Sequence, residues 1–166
     1  MPDDRSVFVE TRFPVWAIEQ NPRPEDAEKA RQAQALYENW CENGSTIMIS
    51  SITVAEFLAK IPDSCREEYL SEFQTNFMIV QFDAYAAELA SGVQFNEWGD
   101  LKQEYHSRDH LKADILILGC VLAAKPSVFY TEDDRFCRLA KKYFPNAESL
   151  PQPPPKQGNL FNENGS

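Results

Sequence analysis

The sequence lacks the features that mark secreted, membrane-spanning and disulfide-rich proteins. No apolar run is long enough to cross a bilayer, and residues 1–5 are polar and acidic, unlike the basic and then apolar start of a signal peptide. Only four cysteines are present, and no two of them form a CxxC pair. We therefore expect reduced thiols in a cytoplasmic protein.

Positive charge is scarce as well. The chain has 16 Lys and Arg against 26 Asp and Glu, a net charge of −10, which counts against a general nucleic-acid coat. Acids dominate residues 1–99, whereas bases slightly outnumber acids in residues 100–145. A local basic surface that includes Arg108, Lys112 and Arg135 is one interpretation, and a solvated, mixed-charge surface is the other.

What the chain does have is an alternation of short apolar runs and amphipathic segments. Residues 113–124 are apolar on nearly all sides and favour a buried helix, whereas the polar residues 96–111 indicate a loop or a frayed helix. Strands are predicted at 7–10, 46–50, 77–82 and 127–130, with 147–150 as a candidate fifth. Strands that alternate with helices predict an α/β fold, a three-layer α/β/α domain with a mainly parallel sheet of four or five strands.

Four carboxylates lie where an apolar segment meets a polar one: Glu10, Glu56, Asp114 and Asp133. In a parallel sheet, the carboxyl ends of strands and the following helix starts gather at one edge, where open α/β folds bind their ligands. Four acids there would repel one another unless a divalent cation neutralised them. The pattern therefore predicts a site for a hard metal ion and, through it, phosphate chemistry.

Each of these acids, taken singly, has a plainer explanation. The segment Thr53-x-x-Glu56 fits a helix capping box. Asp114 would favour the positive end of its helix dipole, Glu10 would be an ordinary strand-end charge, and Thr131-x-x-Asp134 would be an N-cap with its partner.

The acids and their neighbours nevertheless occur in a familiar order. The segments concerned are Val7–Thr11, Ser50–Glu56, Lys112–Leu118 and Thr131–Phe136. Together they resemble the four motifs of the PIN domain, a nuclease fold common in the toxins of bacterial and archaeal toxin–antitoxin pairs. Residues 1–150 would form the PIN-like domain.

The resemblance implies an endoribonuclease that uses Mg²⁺ or Mn²⁺. Glu10, Asp114 and Asp133 would hold the metal, and Glu56 would position a water-bound ion or accept a proton. Thr131 would hold an attacking water or orient Asp133. The basic surface would contact RNA, and the family implies a homodimer and a cognate antitoxin as partners.

Two departures from the family pattern support an alternative. Glu10 stands where the family usually has Asp, and Arg135 replaces the second acid of the fourth motif. A longer first acid could displace a metal by about one C–C bond length, and small misplacements slow catalysis. The alternative is a catalytically degenerate PIN-like module that binds RNA or protein.

The last segment has a different composition. Residues 151–166 begin with a proline-rich stretch and continue as a polar segment that we expect to be disordered. Within it, Gln157, Leu160 and Phe161 resemble the short Q-x-x-L-F peptide by which bacterial proteins dock on the sliding clamp.

Overall fold

The computed structural model describes residues 5–18, 23–104 and 107–153. The described residues form seven α-helices and five β-strands, with a short 3-10 turn at Pro24–Asp26. The helices are α1 Arg12–Ile18, α2 Ala27–Glu42, α3 Ser51–Leu58, α4 Asp63–Asn76, α5 Ala84–Glu104, α6 Arg108–Ala124 and α7 Asp134–Tyr143. The strands are β1 Ser6–Val9, β2 Thr46–Ser50, β3 Met78–Val80, β4 Val128–Tyr130 and β5 Ala147–Glu148.

The five strands form one fully parallel sheet in the order β3-β2-β1-β4-β5. In β1, Phe8 is paired with Met48 on one side and with Phe129 on the other. The chain builds outward from β1 to β3 and then crosses back to add β4 and β5 on the opposite side. The order therefore reverses between β1 and β4, which is where open α/β sheets bind ligands.

Alternation along the strands divides the core between the two faces of the sheet. Phe8 and Phe129 lie on one face, with their rings 5.9 Å apart, and pack with α5, α6 and α7. Val7 and Val9 point to the other face and pack with α1, α2 and α4. The predicted three-layer α/β/α architecture is confirmed, and the sheet has five strands.

The longest helix pair, α5 and α6, packs at very short range. A Cβ added to Gly119 of α6 would lie 2.5 Å from the Ala86 carbonyl oxygen and 2.8 Å from the Ala90 Cβ. Because only glycine fits there, Gly119 sets the distance between the two helices.

Of residues 96–111, predicted as a loop or a frayed helix, 96–104 continue α5 and 108–111 begin α6. The helical alternative therefore holds for these residues, and the loop alternative was wrong. Within 96–104, Leu101 is buried and Trp98 packs partly buried against the core, whereas Asn96, Gly99, Asp100 and Gln103 are exposed. So narrow an apolar stripe in a polar segment gives a weak helical pattern in the sequence.

The described residues allow the expectations on membrane spans and disulfides to be compared with the structure. Within the described ranges, no helix has the length and apolarity that a membrane span requires. None of the four cysteines forms a disulfide. Gln32 of α2 donates hydrogen bonds to the carbonyl oxygens of Leu150 (3.3 Å) and Pro151 (2.9 Å), which fixes the chain as it leaves the domain. Residues 154–166, including the clamp-like peptide Gln157, Leu160 and Phe161, lie outside the described residues.

Candidate functional site

The site lies at the carboxyl edge of the sheet, where the strand order reverses. Glu10 directly follows β1, and its N–H donates to the Tyr130 carbonyl at 3.3 Å. Thr131 directly follows β4, and its N–H donates to the Glu148 carbonyl at 3.0 Å. These bonds extend the sheet by one residue, so the segments after β1 and β4 leave it side by side.

Glu10 is a carboxylate whose charged form is destabilised by burial. Burial raises the pKa of its side chain to about 7, and the nearby charge of Asp133 acts in the same direction. The backbone N–H groups of Arg12 and Glu132 and the Arg12 charge lower the pKa without overcoming burial. Burial therefore destabilises the charged form of Glu10, at the end of the central strand, and the nearby positive charge does not compensate for it.

Asp133 lies beside it and is held more firmly. Its Oδ1 accepts hydrogen bonds from the N–H groups of Arg135 (2.8 Å) and Phe136 (3.1 Å), so Asp133 is the N-cap of α7. Its Oδ2 lies 3.6 Å from Nη2 of Arg135. Burial raises the pKa of Asp133, but the two backbone donors and the guanidinium together lower it below its ordinary value.

Thr131 supports Asp133. Its side chain is almost wholly buried, and its Oγ1 accepts a 3.2 Å hydrogen bond from the Asp133 N–H. This bond fixes the backbone at Asp133, and the choice between the two roles predicted for Thr131 stays open. The suggestion that Thr131 caps α7 with Asp134 was wrong, because Asp133 has that position.

Glu56 is linked to the same edge through the residue after Glu10. The Thr11 hydroxyl donates a 2.7 Å hydrogen bond to Oε2 of Glu56, a half-buried residue in α3. The suggested capping box at Thr53–Glu56 was wrong, because Ser50 is the N-cap of α3 and its Oγ accepts from the Thr53 N–H at 2.9 Å. The Glu56 carboxylate does not cap the helix and instead accepts the hydrogen bond from Thr11, in the segment after β1.

Asp114 lies farther along its helix than predicted. The helix α6 begins at Arg108, so Asp114 is in its second turn, and the dipole explanation for this acid loses force beyond the first turn. Because α6 ends shortly before β4 begins, its early turns lie towards the carboxyl edge. Asp114 is half-buried there.

The three basic residues predicted to contact RNA lie in the first or second turn of their helices, near this edge. Arg108 and Lys112 are exposed and four residues apart in α6, which places them on one helix face. Arg135 lies in the first turn of α7 beside Asp133.

One contact at this edge had no signal in the sequence. Glu132, between Thr131 and Asp133, forms an ion pair with Lys29 of α2 and accepts a 2.9 Å hydrogen bond from the Leu150 N–H. Lys29 and Glu132 are 103 positions apart. A pairing over that distance depends on the tertiary fold and is not visible in local spacing. Glu132 is thus bound to the scaffold and is not counted among the site acids.

The chemistry of these donors fits a hard divalent cation, because all of them are carboxylate oxygens. Glu10 and Asp133 interact, and a cation would supply the positive charge that Glu10 lacks. Among the residues that the structure describes, no group of three or more Asp, Glu, His or Cys side chains is placed to hold a metal ion. The ligand set of Glu10, Asp114 and Asp133 therefore stays a prediction, as do the roles of Glu56 and Thr131.

The fold and this edge together define a parallel α/β protein with carboxylates at its topological switch point. The PIN domain family model matches residues 7–142, which include all four motif segments, and the chain belongs to the PIN domain family. PIN domains are generally nucleases. No curated protein matches the chain.

Solved structures agree with this fold. The VapBC2 complex of Rickettsia felis bound to a promoter DNA fragment contains a chain with 21% identity and a TM-score of 0.60, covering 88% of this chain and 99% of that one. DNA-bound VapBC of Salmonella typhimurium contains a chain with 16% identity and a TM-score of 0.59, and the match covers 89% of this chain and 99% of that one. A toxin–antitoxin complex of Klebsiella pneumoniae contains a chain with 16% identity and a TM-score of 0.57, and the match covers 88% of this chain and 98% of that one. At these identities the likeness establishes the fold.

Proposed function

We propose that this protein is a divalent-cation-dependent endoribonuclease that acts as the toxin of a toxin–antitoxin pair. The observation that carries the proposal is the placement of Glu10. Its half-buried carboxylate lies at the switch point of a PIN fold, its pKa is raised to about 7, and the Asp133 carboxylate acts on it from beside it. Perturbed acids at such an edge are typical of functional sites.

Each residue at the edge has a role in this proposal. Glu10 and Asp133, with Asp114, would hold Mg²⁺ or Mn²⁺. The bound ion supplies Lewis acidity at the phosphodiester and assists attack by water. Glu56, held by Thr11, would accept the proton of the attacking water, and Thr131 fixes the backbone of Asp133.

The RNA would approach from the side of the early turns of α6. Arg108 and Lys112 are exposed there and would bind phosphates, which fixes the strand over the acids without reading its sequence. Hydrolysis would leave a 3′-hydroxyl and a 5′-phosphate. The substrate is single-stranded or structured RNA.

The partners of the toxin would be an antitoxin and a second copy of the chain. The Rickettsia, Salmonella and Klebsiella structures are toxin–antitoxin complexes, which supports an antitoxin for this chain. None of these complexes is described with a sliding clamp, so the proposal does not include one.

Cleavage of RNA tests the function. Purified protein is incubated with mixed cellular RNA in Mg²⁺, in Mn²⁺ and in chelator, beside Glu10→Gln and Asp114→Asn variants. We expect cleavage only with metal and a loss of at least about a hundredfold in both variants, because a mispositioned site loses rate steeply. Cleavage that persists equally in the variants, or none in the wild type, would contradict the proposal.

A degenerate binding module is the second candidate. The ion pair between Arg135 and Asp133 favours it, because that contact occupies a predicted metal ligand. This candidate predicts RNA binding without cleavage and no metal binding that depends on Glu10 or Asp133. Gain of cleavage in a Glu10→Asp, Arg135→Asp double variant would also support it.

A further inference from the structure

Both oxygens of Asp133 are engaged by groups of its own chain. The Oδ1 atom accepts from two backbone N–H groups of α7, at 2.8 and 3.1 Å. The Oδ2 atom faces the Arg135 guanidinium at 3.6 Å. The first contact is part of the helix cap, whereas the second involves a long side chain that is partly exposed to solvent.

The Arg135 contact is the more easily exchanged of the two. The Arg135 side chain is 36% exposed and that of Asp133 is 28% exposed, so water reaches the pair. An ion pair of this kind is weak, because solvent screens it and the long side chain loses entropy. Breaking the backbone contacts would remove the N-cap of α7. A competing cation would therefore displace the guanidinium first.

The positive charge at the edge is unevenly divided between the two acids. Asp133 has the Arg135 guanidinium 3.6 Å from its Oδ2 atom. Glu10 has the more distant charge of Arg12 and the backbone N–H groups of Arg12 and Glu132. A divalent ion bound by Glu10 and Asp133 would compete with Arg135 for the Oδ2 atom of Asp133.

We propose, on the basis of the nuclease function proposed above, that Arg135 is a positioning residue that exchanges between Asp133 and an RNA phosphate. In the free protein the guanidinium neutralises Asp133. When a divalent cation takes Oδ2, the guanidinium is repelled from the carboxylate and binds a phosphate of the RNA held over the same edge. Arginine suits this role, because its planar fork matches carboxylate and phosphate alike.

This exchange couples the binding of metal to the binding of RNA. Metal releases Arg135 for RNA, and RNA holds Arg135 away from the metal ligand, so each should strengthen the other. Such coupling is reciprocal by thermodynamic necessity. A plain phosphate contact would strengthen RNA binding by the same factor with and without metal.

The test measures two affinities, each in the presence and absence of the other ligand. Mn²⁺ binding is followed by electron paramagnetic resonance, and binding of a short single-stranded RNA with cleavage-resistant phosphorothioate linkages is followed by fluorescence anisotropy. The variants are Arg135→Gln, Arg135→Lys and the control Arg138→Gln, which removes an exposed arginine one turn along the same helix. Asp133 is retained in all three variants, so the α7 cap is preserved.

In Arg135→Gln we expect Mn²⁺ to bind roughly two- to fivefold tighter without RNA, since its competitor at Oδ2 is gone. RNA affinity should fall about tenfold with Mn²⁺ present and by less than about twofold without it. Arg135→Lys should recover part of the coupling, and Arg138→Gln should keep all of it.

Three results would overturn the inference. Equal Mn²⁺ affinity in Arg135→Gln and wild type would show that the guanidinium does not compete for Asp133, although metal binding that depends on Glu10 would leave the nuclease proposal intact. An RNA loss that is equal with and without Mn²⁺ would reduce Arg135 to a simple phosphate contact. Absence of Mn²⁺ binding in the wild type would remove both proposals together.

Discussion

The Thr11 hydroxyl donates a 2.7 Å hydrogen bond to Oε2 of Glu56 and so joins the turn after β1 to α3. Thr11 follows Glu10 directly, whereas Glu56 is 45 positions from Thr11. The bond places the Glu56 carboxylate against the turn that follows Glu10. It is also partly buried, and charge-assisted bonds of this kind are among the stronger side-chain contacts.

Replacing Thr11 tests that link. Thr11→Val keeps the shape of the side chain and removes the donor, so we expect about 1 kcal/mol of lost stability in urea unfolding. RNA cleavage should fall by about tenfold or more, because Glu56 is no longer oriented. Thr11→Ser retains a hydroxyl and is the matched control. Equal activity in Thr11→Val and Thr11→Ser would show that the bond does not serve the site.

The raised pKa of Glu10 predicts a pH dependence of stability. The folded pKa is about 7 and the unfolded value is 4.5, so the folded protein binds the extra proton between these pH values. Stability is therefore fullest near pH 4.5 with respect to this group, and it falls as the pH rises through 7. The shift limits the cost to roughly 3 kcal/mol.

Glu10→Gln should remove this dependence. We expect the variant to be more stable than the wild type at pH 8, by about 1–3 kcal/mol, and to differ little at pH 4.5. Mn²⁺ should stabilise the wild type more at pH 8 than at pH 5.5, because a proton competes for the carboxylate. Parallel unfolding curves of both proteins across this range would contradict the burial of Glu10.

Asp133 combines a helix cap with a site charge, and two variants separate them. Asp133→Asn keeps an oxygen for the N–H groups of Arg135 and Phe136, so its thermal stability should change little. Asp133→Ala should lose about 1–2 kcal/mol, because α7 loses its cap. Both variants should lose metal binding and cleavage. Full cleavage by the stable Asp133→Asn protein would show that Asp133 is structural only.

Gly119 tests the packing behind the site. Gly119→Ala would place a Cβ against the backbone of Ala86 and should cost about 1–3 kcal/mol in chemical unfolding. Gly92, also helical, has open space at its Cβ position, so Gly92→Ala should stabilise by about 0.5–1 kcal/mol. Opposite signs for the two substitutions are required, and a stabilising Gly119→Ala would refute the close contact.

The sequence was most informative where burial leaves a strong periodic pattern. The strand at 46–50 was predicted with the bounds that the structure has, because its apolar run is bounded by turn residues and small polar residues. The resemblance to the PIN domain rested on the order of four acidic motifs along the chain, and the family match over residues 7–142 confirms it. The sequence did not decide between a loop and a frayed helix for the extension of α5 through Glu104, because an exposed helix with a narrow stripe resembles a loop.

The candidate site could be predicted as a set of residues more readily than as a geometry. That Glu10 and Asp133 interact follows from the parallel sheet, which brings the ends of β1 and β4 together. The residues that cap α3 and α7 were predicted wrongly, because Ser50 and Asp133 compete for that position with neighbours of similar chemistry. The Thr11 bond to Glu56 depends on side-chain placement that spacing does not encode.

Mn²⁺ titration by electron paramagnetic resonance tests the central claim most directly, namely that Glu10 and Asp133 share a divalent cation. The wild type, Glu10→Gln and Asp133→Asn are compared with Glu148→Gln, which removes an exposed acid at the end of β5 on the same edge. We predict saturable Mn²⁺ binding in the wild type and in Glu148→Gln, and its loss in Glu10→Gln and Asp133→Asn. Absence of bound Mn²⁺ in the wild type, or equal binding in all four proteins, would contradict the claim.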